Sequence, residues 1–177
     1  VIRRIPRVLR ESGWKVTATV VLVPGGYRLI DIERGDTTPA CYGAAVDLGT
    51  TTIVVYLRNL IDGSIMGIAS AYNRQISCGE DILSRVTYAR KEGLKKLQSL
   101  AAESINSAIT EAANNAGVDR DHIYEVVVAG NTIMTHILMG IDPAYMIEEP
   151  YVPVVRRYLT AAAGRAGLEV GENSDLF

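Results

Sequence analysis

Apolar and polar residues change their spacing several times along the chain, and each change marks an element. Ile2, Ile5, Val8 and Leu9 recur at helical intervals, with Arg3, Arg4, Arg7 and Arg10 opposite them. This predicts a short basic amphipathic helix over Ile2–Glu11, stopped by Ser12-Gly13. The spacing then falls to two. Trp14–Val23 and Tyr27–Glu33 read as paired strands around the turn Pro24-Gly25-Gly26, and Arg34–Pro39 is a polar loop. Three more β-rich runs come next: Tyr42–Leu48, Thr52–Asn59 and Ser64–Ala71. The tight turns between them, Asp62-Gly63 included, predict an antiparallel meander. Helical spacing returns at Ile82, Leu83, Val86 and Ala89. It is longest from Leu94 to Ala116, where Leu97, Leu100, Ala101, Ile105, Ala108, Ile109 and Ala112 form one stripe and Gly117 closes the helix. His122–Ala129 is a buried-strand run that turns into a helix, Ile133–Met139, stopped by Gly140. After Asp142-Pro143 and Glu149-Pro150-Tyr151-Val152-Pro153, residues Val154–Ala166 predict a helix and Gly167–Phe177 a polar tail.

Composition narrows the picture. The 177 residues are 48% apolar, enough for a real core in one domain or in a small and a larger one. Residues 1–40, a helix plus a hairpin, are too few to fold alone and should pack on residues 41–177 or on something upstream. A formal net charge of −2 with 18 Lys and Arg offers no basic field for nucleic acid. No apolar run approaches the ~18 residues of a membrane span, and the first residues do not form a signal peptide. A cytoplasmic protein is expected. The first residue is not Met and the end lacks capping logic, so a piece from the middle of a longer chain is expected as well. Cys41 and Cys78 are far apart and form no Cys-x-x-Cys pair. Reduced thiols are expected, with no zinc or iron–sulfur cluster built from this chain. His122 and His136 stand alone and read as surface or packed side chains.

The candidate chemistry lies where strand runs break. Ala44–Tyr56 is interrupted by Asp47, Gly49 and Thr50-Thr51-Thr52. Gly49 lets the backbone approach an anion, the N–H groups of Leu48 to Thr52 can form a nest, and the three Thr add hydroxyl donors. Asp47 beside a phosphate makes sense if it holds Mg²⁺ through water. The same residues also make an ordinary hairpin. Gly130-Asn131-Thr132 joins a strand end to a helix start, which suits an anion and equally suits an N-cap. Between the meander and the first long helix, Asn73 and Gln75 either line a cleft or belong to a capped loop, with Ser77 or Asp81 as cap.

Ala45-Val46-Asp47-Leu48-Gly49-Thr50-Thr51-Thr52 resembles the first phosphate motif of the superfamily that holds acetate and sugar kinases, chaperone ATPases and actin (ASKHA). The triple Thr narrows this. So do Asn73-x-Gln75, Gly79-x-Asp81, Ile82-x-x-Arg85, and Val127–Thr132 with Met134 and His136. Together they resemble the ATP-dependent reductive activators of corrinoid proteins, from about Val16 to Pro153. The resemblance implies an α/β fold: a ribonuclease-H-like, actin-like ASKHA half-domain. Its antiparallel meander would be followed by alternating helices and a parallel strand, behind a small α+β linker module. Residues 1–40 would be that linker, and 41–177 the first lobe, cut before the second. It implies ATP and Mg²⁺ as cofactors and a 2Fe-2S cluster in an upstream domain, not bound by this chain. It implies a homodimer and a corrinoid-protein partner of a methyltransferase system, returned from Co(II) to Co(I). Asp47 and Asn131 would be catalytic, Asp47 carrying the Mg²⁺ water shell and Asn131 near the terminal phosphate or its attacking water. Gly49, Thr50, Thr51, Thr52, Asn73, Gln75, Gly130 and Thr132 would surround the nucleotide, Asn73 and Gln75 at the mouth of its cleft. No second Asp-apolar-Gly-Thr/Ser turn and no Walker loop occurs after Gly49. Half an ATP site, with weak or no binding alone, is therefore expected. A small-molecule kinase of the same superfamily would want Asp where Asn131 stands. An actin-like module without enzymatic activity is the third alternative.

Overall fold

The computed structural model describes residues 1–156, 160–171 and 173–177. Its strands are β1 (Val16–Val23), β2 (Gly26–Arg34), β3 (Tyr42–Leu48), β4 (Thr52–Asn59), β5 (Ile65–Tyr72), β6 (Ile123–Gly130), β7 (Ala161–Ala162) and β8 (Asp175–Leu176). Its α-helices are α1 (Ile5–Glu11), α2 (Ile82–Glu92), α3 (Leu94–Ala116) and α4 (Thr132–Leu138). β1 and β2 form a two-stranded ribbon, and the others form one sheet in the order β5-β4-β3-β6-β8-β7. The β3-β4-β5 meander is antiparallel, and β6 lies parallel to β3. The chain is thus mixed α/β, as the change of spacing predicts.

Alternation decides which face is covered. Ala44, Val46 and Leu48 of β3, Ile53, Val55 and Leu57 of β4 and Ala69 of β5 all point inward and are buried. The stripe of α3, with Ile105, Ala108, Ile109 and Ala112 wholly buried, lies on them. Small residues let it come close: a Cβ at Gly67 would stand 2.7 Å from the Ala112 carbonyl oxygen. α3 ends as its sequence predicts, with Gly117 at φ 65° and the Val118 N–H on the Ala113 carbonyl (2.9 Å). On the other face Tyr56, Ile68, Tyr72 and Val127 are exposed. Among the described residues no helix is long and apolar enough to cross a membrane.

Two expectations fail at the C-terminal end. The helix expected over Val154–Ala166 is absent from the described residues, and residues 157–159 of that span lie outside them. Ala161–Ala162 is instead a strand, and Ala163–Ala166 one 3-10 turn. The expected polar tail is part of the sheet: β8 pairs with β6 and β7 and buries Leu176. Alanine propensity favours a helix only weakly, and pairing with β8 overrides it.

The ribbon and α1 share a small core of their own, Val8, Ile30 and Ile32, which is separate from the main cluster. α1 begins at Ile5, three residues later than expected. The ribbon packs on the six-stranded sheet and its flanking loops through polar groups. Glu33 Oε2 accepts from Thr37 Oγ1 (2.8 Å) and the Tyr124 hydroxyl (2.7 Å), and Glu33 Oε1 meets His122 Nε2 at 2.9 Å. Arg28 pairs with Asp175.

The close fit of β5 under α3 makes a prediction. Gly67→Val should cost about 1–3 kcal/mol in urea unfolding by pushing α3 outward. Gly164→Ala, with open space at its Cβ position, should stay within about 0.5 kcal/mol.

Candidate functional site

β3 ends at Leu48 and β4 begins at Thr52, so Gly49-Thr50-Thr51 carries the chain reversal. A side chain at Gly49 would collide with the Thr52 carbonyl oxygen, which only glycine avoids. The three carbonyls of this turn are all held. Gly49 O accepts from Asn73 Nδ2 (2.9 Å), Thr50 O from Arg85 Nη2 (2.7 Å) and Thr51 O from the Asn73 N–H (2.8 Å). A planar trans peptide points its N–H opposite its C=O. Holding the Gly49 and Thr50 carbonyls from behind therefore aims the N–H groups of Thr50 and Thr51 forward. Neither N–H has an acceptor among the described residues, and the hydroxyls of Thr50, Thr51 and Thr52 are likewise unengaged there.

Behind the turn is a buried polar frame. Asn73 and Gln75 are 0% exposed. The Gln75 N–H donates to Asn73 Oδ1 (3.0 Å), and Gln75 Nε2 donates to the Leu97 carbonyl of α3 (2.8 Å). The structure thus places Asn73 and Gln75 behind the turn, where they shape it, and not at the mouth of a cleft. Arg85 completes the frame, with Nη1 on Gln75 Oε1 (3.2 Å) and Nε on the Gly79 carbonyl (2.9 Å). Sequence reasoning noted Arg85 only as part of a pattern. A stronger signal was available: Ile82, Arg85, Val86 and Ala89 fall on one face of α2, so a cation stands in an inward-facing row. Asp81 starts this helix. Its carboxylate accepts the Ser84 N–H (2.8 Å) and Ser84 Oγ answers the Asp81 N–H (3.2 Å), a capping box. These bonds hold the exposed Asp81 carboxyl below its usual 3.8.

In front of the turn, Asp47 is in register with Ala129 and Leu48 with Gly130, on parallel strands. Such strands lie about 4.8 Å apart, so the two candidate motifs meet at one sheet end. It is the carboxyl end of both strands, where open α/β sheets bind ligands. Asp47 is exposed and forms no ion pair among the described residues. A Cβ on Gly130 would stand 3.0 Å from the Leu48 carbonyl oxygen. Asn131 is the N-cap of α4, its Oδ1 accepting the Ile133 N–H (2.9 Å). Thr132 is exposed, and its carbonyl takes the Nδ1–H of the buried His136 (2.7 Å). His136 is thus a packed side chain. A cleft of about 930 Å³ opens beside Gly130 and Thr132, walled by His136, Val155 and Phe177 among others.

The structure therefore gathers Asp47, Gly49, Thr50, Thr51, Thr52, Gly130, Asn131 and Thr132 at one end of the sheet, with Asn73 and Gln75 as supports. Two N–H donors, three hydroxyls and one carboxylate suit an anion with a hydrated cation. No group of three or more His, Cys, Asp or Glu among the described residues can hold a metal ion. Cys41 and Cys78 are free. Burial, with the Glu33 and Glu125 carboxylates nearby, pushes the Cys41 thiol above its usual value, which lowers its thiolate fraction.

A family model described as "RACo middle region" matches residues 42–177, and one described as "RACo linker region" matches residues 1–39. The chain belongs to the RACo family. It is 32% identical over 134 residues to "Corrinoid activation enzyme RamQ" of Eubacterium limosum, covering 74% of this chain and 23% of that protein. A solved structure titled "Reductive activator for corrinoid,iron-sulfur protein" superimposes with a TM-score of 0.87 at 33% identity, covering 99% of this chain and 28% of that one. The chain spans about a quarter of the length of these RACo-type relatives.

The frame and the cap can be separated in this RACo chain. Asn73→Leu leaves the Gly49 carbonyl and the Gln75 N–H unpaired in a buried place, and should cost about 1–3 kcal/mol in urea unfolding. Asn131→Ala removes an exposed cap, at about 1 kcal/mol. An Asn131 effect exceeding that of Asn73 would contradict the frame. Asp81→Ala should destabilise at neutral pH. Because the folded-state pKa is depressed, the difference from wild type should close as pH falls through that lowered value.

Proposed function

We propose that this chain supplies the first phosphate-binding turn of the ATP site in a reductive activator of corrinoid proteins. The observation that carries the reading is the turn at Gly49–Thr51, whose carbonyls are held from behind so that two N–H groups and three Thr hydroxyls remain for a ligand. The donor set fits phosphate oxygens. The exposed Asp47 carboxylate suits the water shell of Mg²⁺, and Gly49 keeps the cradle open. Bound Mg·ATP would supply the free energy of phosphoryl transfer to a change in lobe geometry. Thr50 and Thr51 would hold and orient the phosphates by hydrogen bonds, and Asp47 would fix the hydrated cation. Asn131, with its oxygen engaged as a cap, would keep its amide N–H₂ for the terminal phosphate or its attacking water. An amide is no general base, so Asn at this position argues against a kinase that takes a proton from a substrate hydroxyl.

In this reading residues 1–40 are a linker and residues 41–177 the first lobe of an ASKHA domain. The second lobe, with its own phosphate turn, lies elsewhere in a longer cytoplasmic, homodimeric protein. Its partner is a corrinoid protein of a methyltransferase system, whose cobalt takes up one electron and passes from Co(II) to Co(I). The electron would come from a 2Fe-2S cluster in an upstream domain, as the resemblance to the corrinoid-protein activators implies. The coverage of about a quarter of each relative supports a divided site.

Calorimetry tests the reading. Mg·ATP should bind to a longer chain that includes the second lobe, weakly or not at all to residues 1–177, and at least about tenfold more weakly after Asp47→Ala. Absence of nucleotide binding by both chains would reduce the Thr turn to a hairpin and remove the ATPase assignment.

A further inference from the structure

The side chain of Arg85 is 0% exposed. Its partners are all uncharged: the Thr50 carbonyl (2.7 Å), the Gly79 carbonyl (2.9 Å), the Gln75 amide oxygen (3.2 Å) and the Met134 sulfur (3.3 Å). No carboxylate among the described residues pairs with it. Asp81 acts on it only through its field, from the exposed cap of α2. Burying a cation among neutral groups is costly, and a neutral amide could supply hydrogen bonds to carbonyls without that cost. What the guanidinium adds is a permanent charge on a rigid fork that reaches three directions at once.

That charge sits against one particular peptide unit. The Thr50 carbonyl and the Thr51 N–H belong to the same plane, so a cation on the oxygen polarises the N–H that faces the ligand side. Solvent screens a buried charge weakly, so its field extends through the turn to whatever binds in front. The same side chain touches α4 through Met134, one turn from the Asn131 cap. It therefore ties the two motifs of the site to α2.

We propose that Arg85 is a positioning residue for the Asp47–Thr52 turn, its unpaired guanidinium aiming and polarising the Thr51 N–H, with a polyphosphate ligand bound in front as its counter-charge. The proposal rests on reading this turn as a phosphate site. It assigns to α2 a part in ligand binding, although Arg85 itself does not touch the ligand.

The test uses the longer chain that binds Mg·ATP, unsubstituted and as Asp47→Ala, Arg85→Gln and Arg85→Lys, with a thermal melt without nucleotide as the check on folding. Arg85→Gln should fold and lose ATP affinity by about tenfold or more. Arg85→Lys, which can carry the charge but not the fork, should recover part of the affinity that Arg85→Gln loses. A folded Arg85→Gln with undiminished affinity overturns the proposal, since a merely structural arginine would give that result. A Lys variant as weak as the Gln variant overturns it too. If Arg85→Gln does not fold, the Lys variant decides alone: it must keep the ATP-induced rise in melting temperature, and loss of that rise refutes the charge. Unaltered binding by Asp47→Ala counts against the placement of the cation and not against Arg85. Absence of ATP binding by the unsubstituted protein removes the phosphate reading and this proposal with it.

Discussion

Three consecutive carbonyls, those of Gly49, Thr50 and Thr51, accept hydrogen bonds from two side chains and one backbone N–H, and much of the surrounding structure keeps those donors in place. Asn73 stands one residue beyond β5, so its position follows from the register of β4 with β5. Gln75 holds Asn73 and is itself anchored on α3 at the Leu97 carbonyl. Arg85 depends on the Asp81 capping box, which starts α2 at the right residue, and on the close approach of Gly79, where a Cβ would stand 2.9 Å from the Arg85 nitrogen. A network of this kind is strong when every member is satisfied and costly when one is lost, because a buried polar group left without a partner keeps its full desolvation penalty.

The sheet gives that network a stiff support. Its inner face is packed on α3 largely through alanines and one glycine, so the backbones of helix and sheet stand close and little slack remains. A site held at the end of such strands is placed more accurately than one on a free loop. The parallel pairing of β3 with β6 then brings the Gly130–Thr132 segment beside the turn, although more than seventy residues separate them in the chain.

Much of this was legible in the sequence, and the reasons can be named. The meander follows from strict alternation, α3 from a long apolar stripe with Gly117 at its end, and α4 from a strand run that stops at Gly130-Asn131-Thr132. These are local signals that the tertiary fold reinforces. β8 was not legible, because two residues cannot show a period. The alanines at 161–163 pointed to a helix, since their pairing partner lies more than ten residues away. For Asn73 and Gln75 the residues leave a cleft lining and a capped loop equally open, and it is the family pattern that puts them on the ligand side. A buried amide that shapes a turn has the same local sequence as an exposed one that touches a ligand. Arg85 shows the converse: its inward spacing was visible in α2, but charge is ordinarily taken as a mark of the surface.

The ribbon of β1 and β2 stands apart from this rigidity. Val8 of α1 is buried with Ile30 and Ile32 of the ribbon, and the attachments of the ribbon to the six-stranded sheet among the described residues include the Glu33 carboxylate with His122 and Tyr124, and the Arg28–Asp175 pair. Charge pairs of this kind are screened by salt, so the hold of the ribbon on the sheet weakens as ionic strength rises. The joint between ribbon and sheet is thus one whose strength the surrounding solution helps to set.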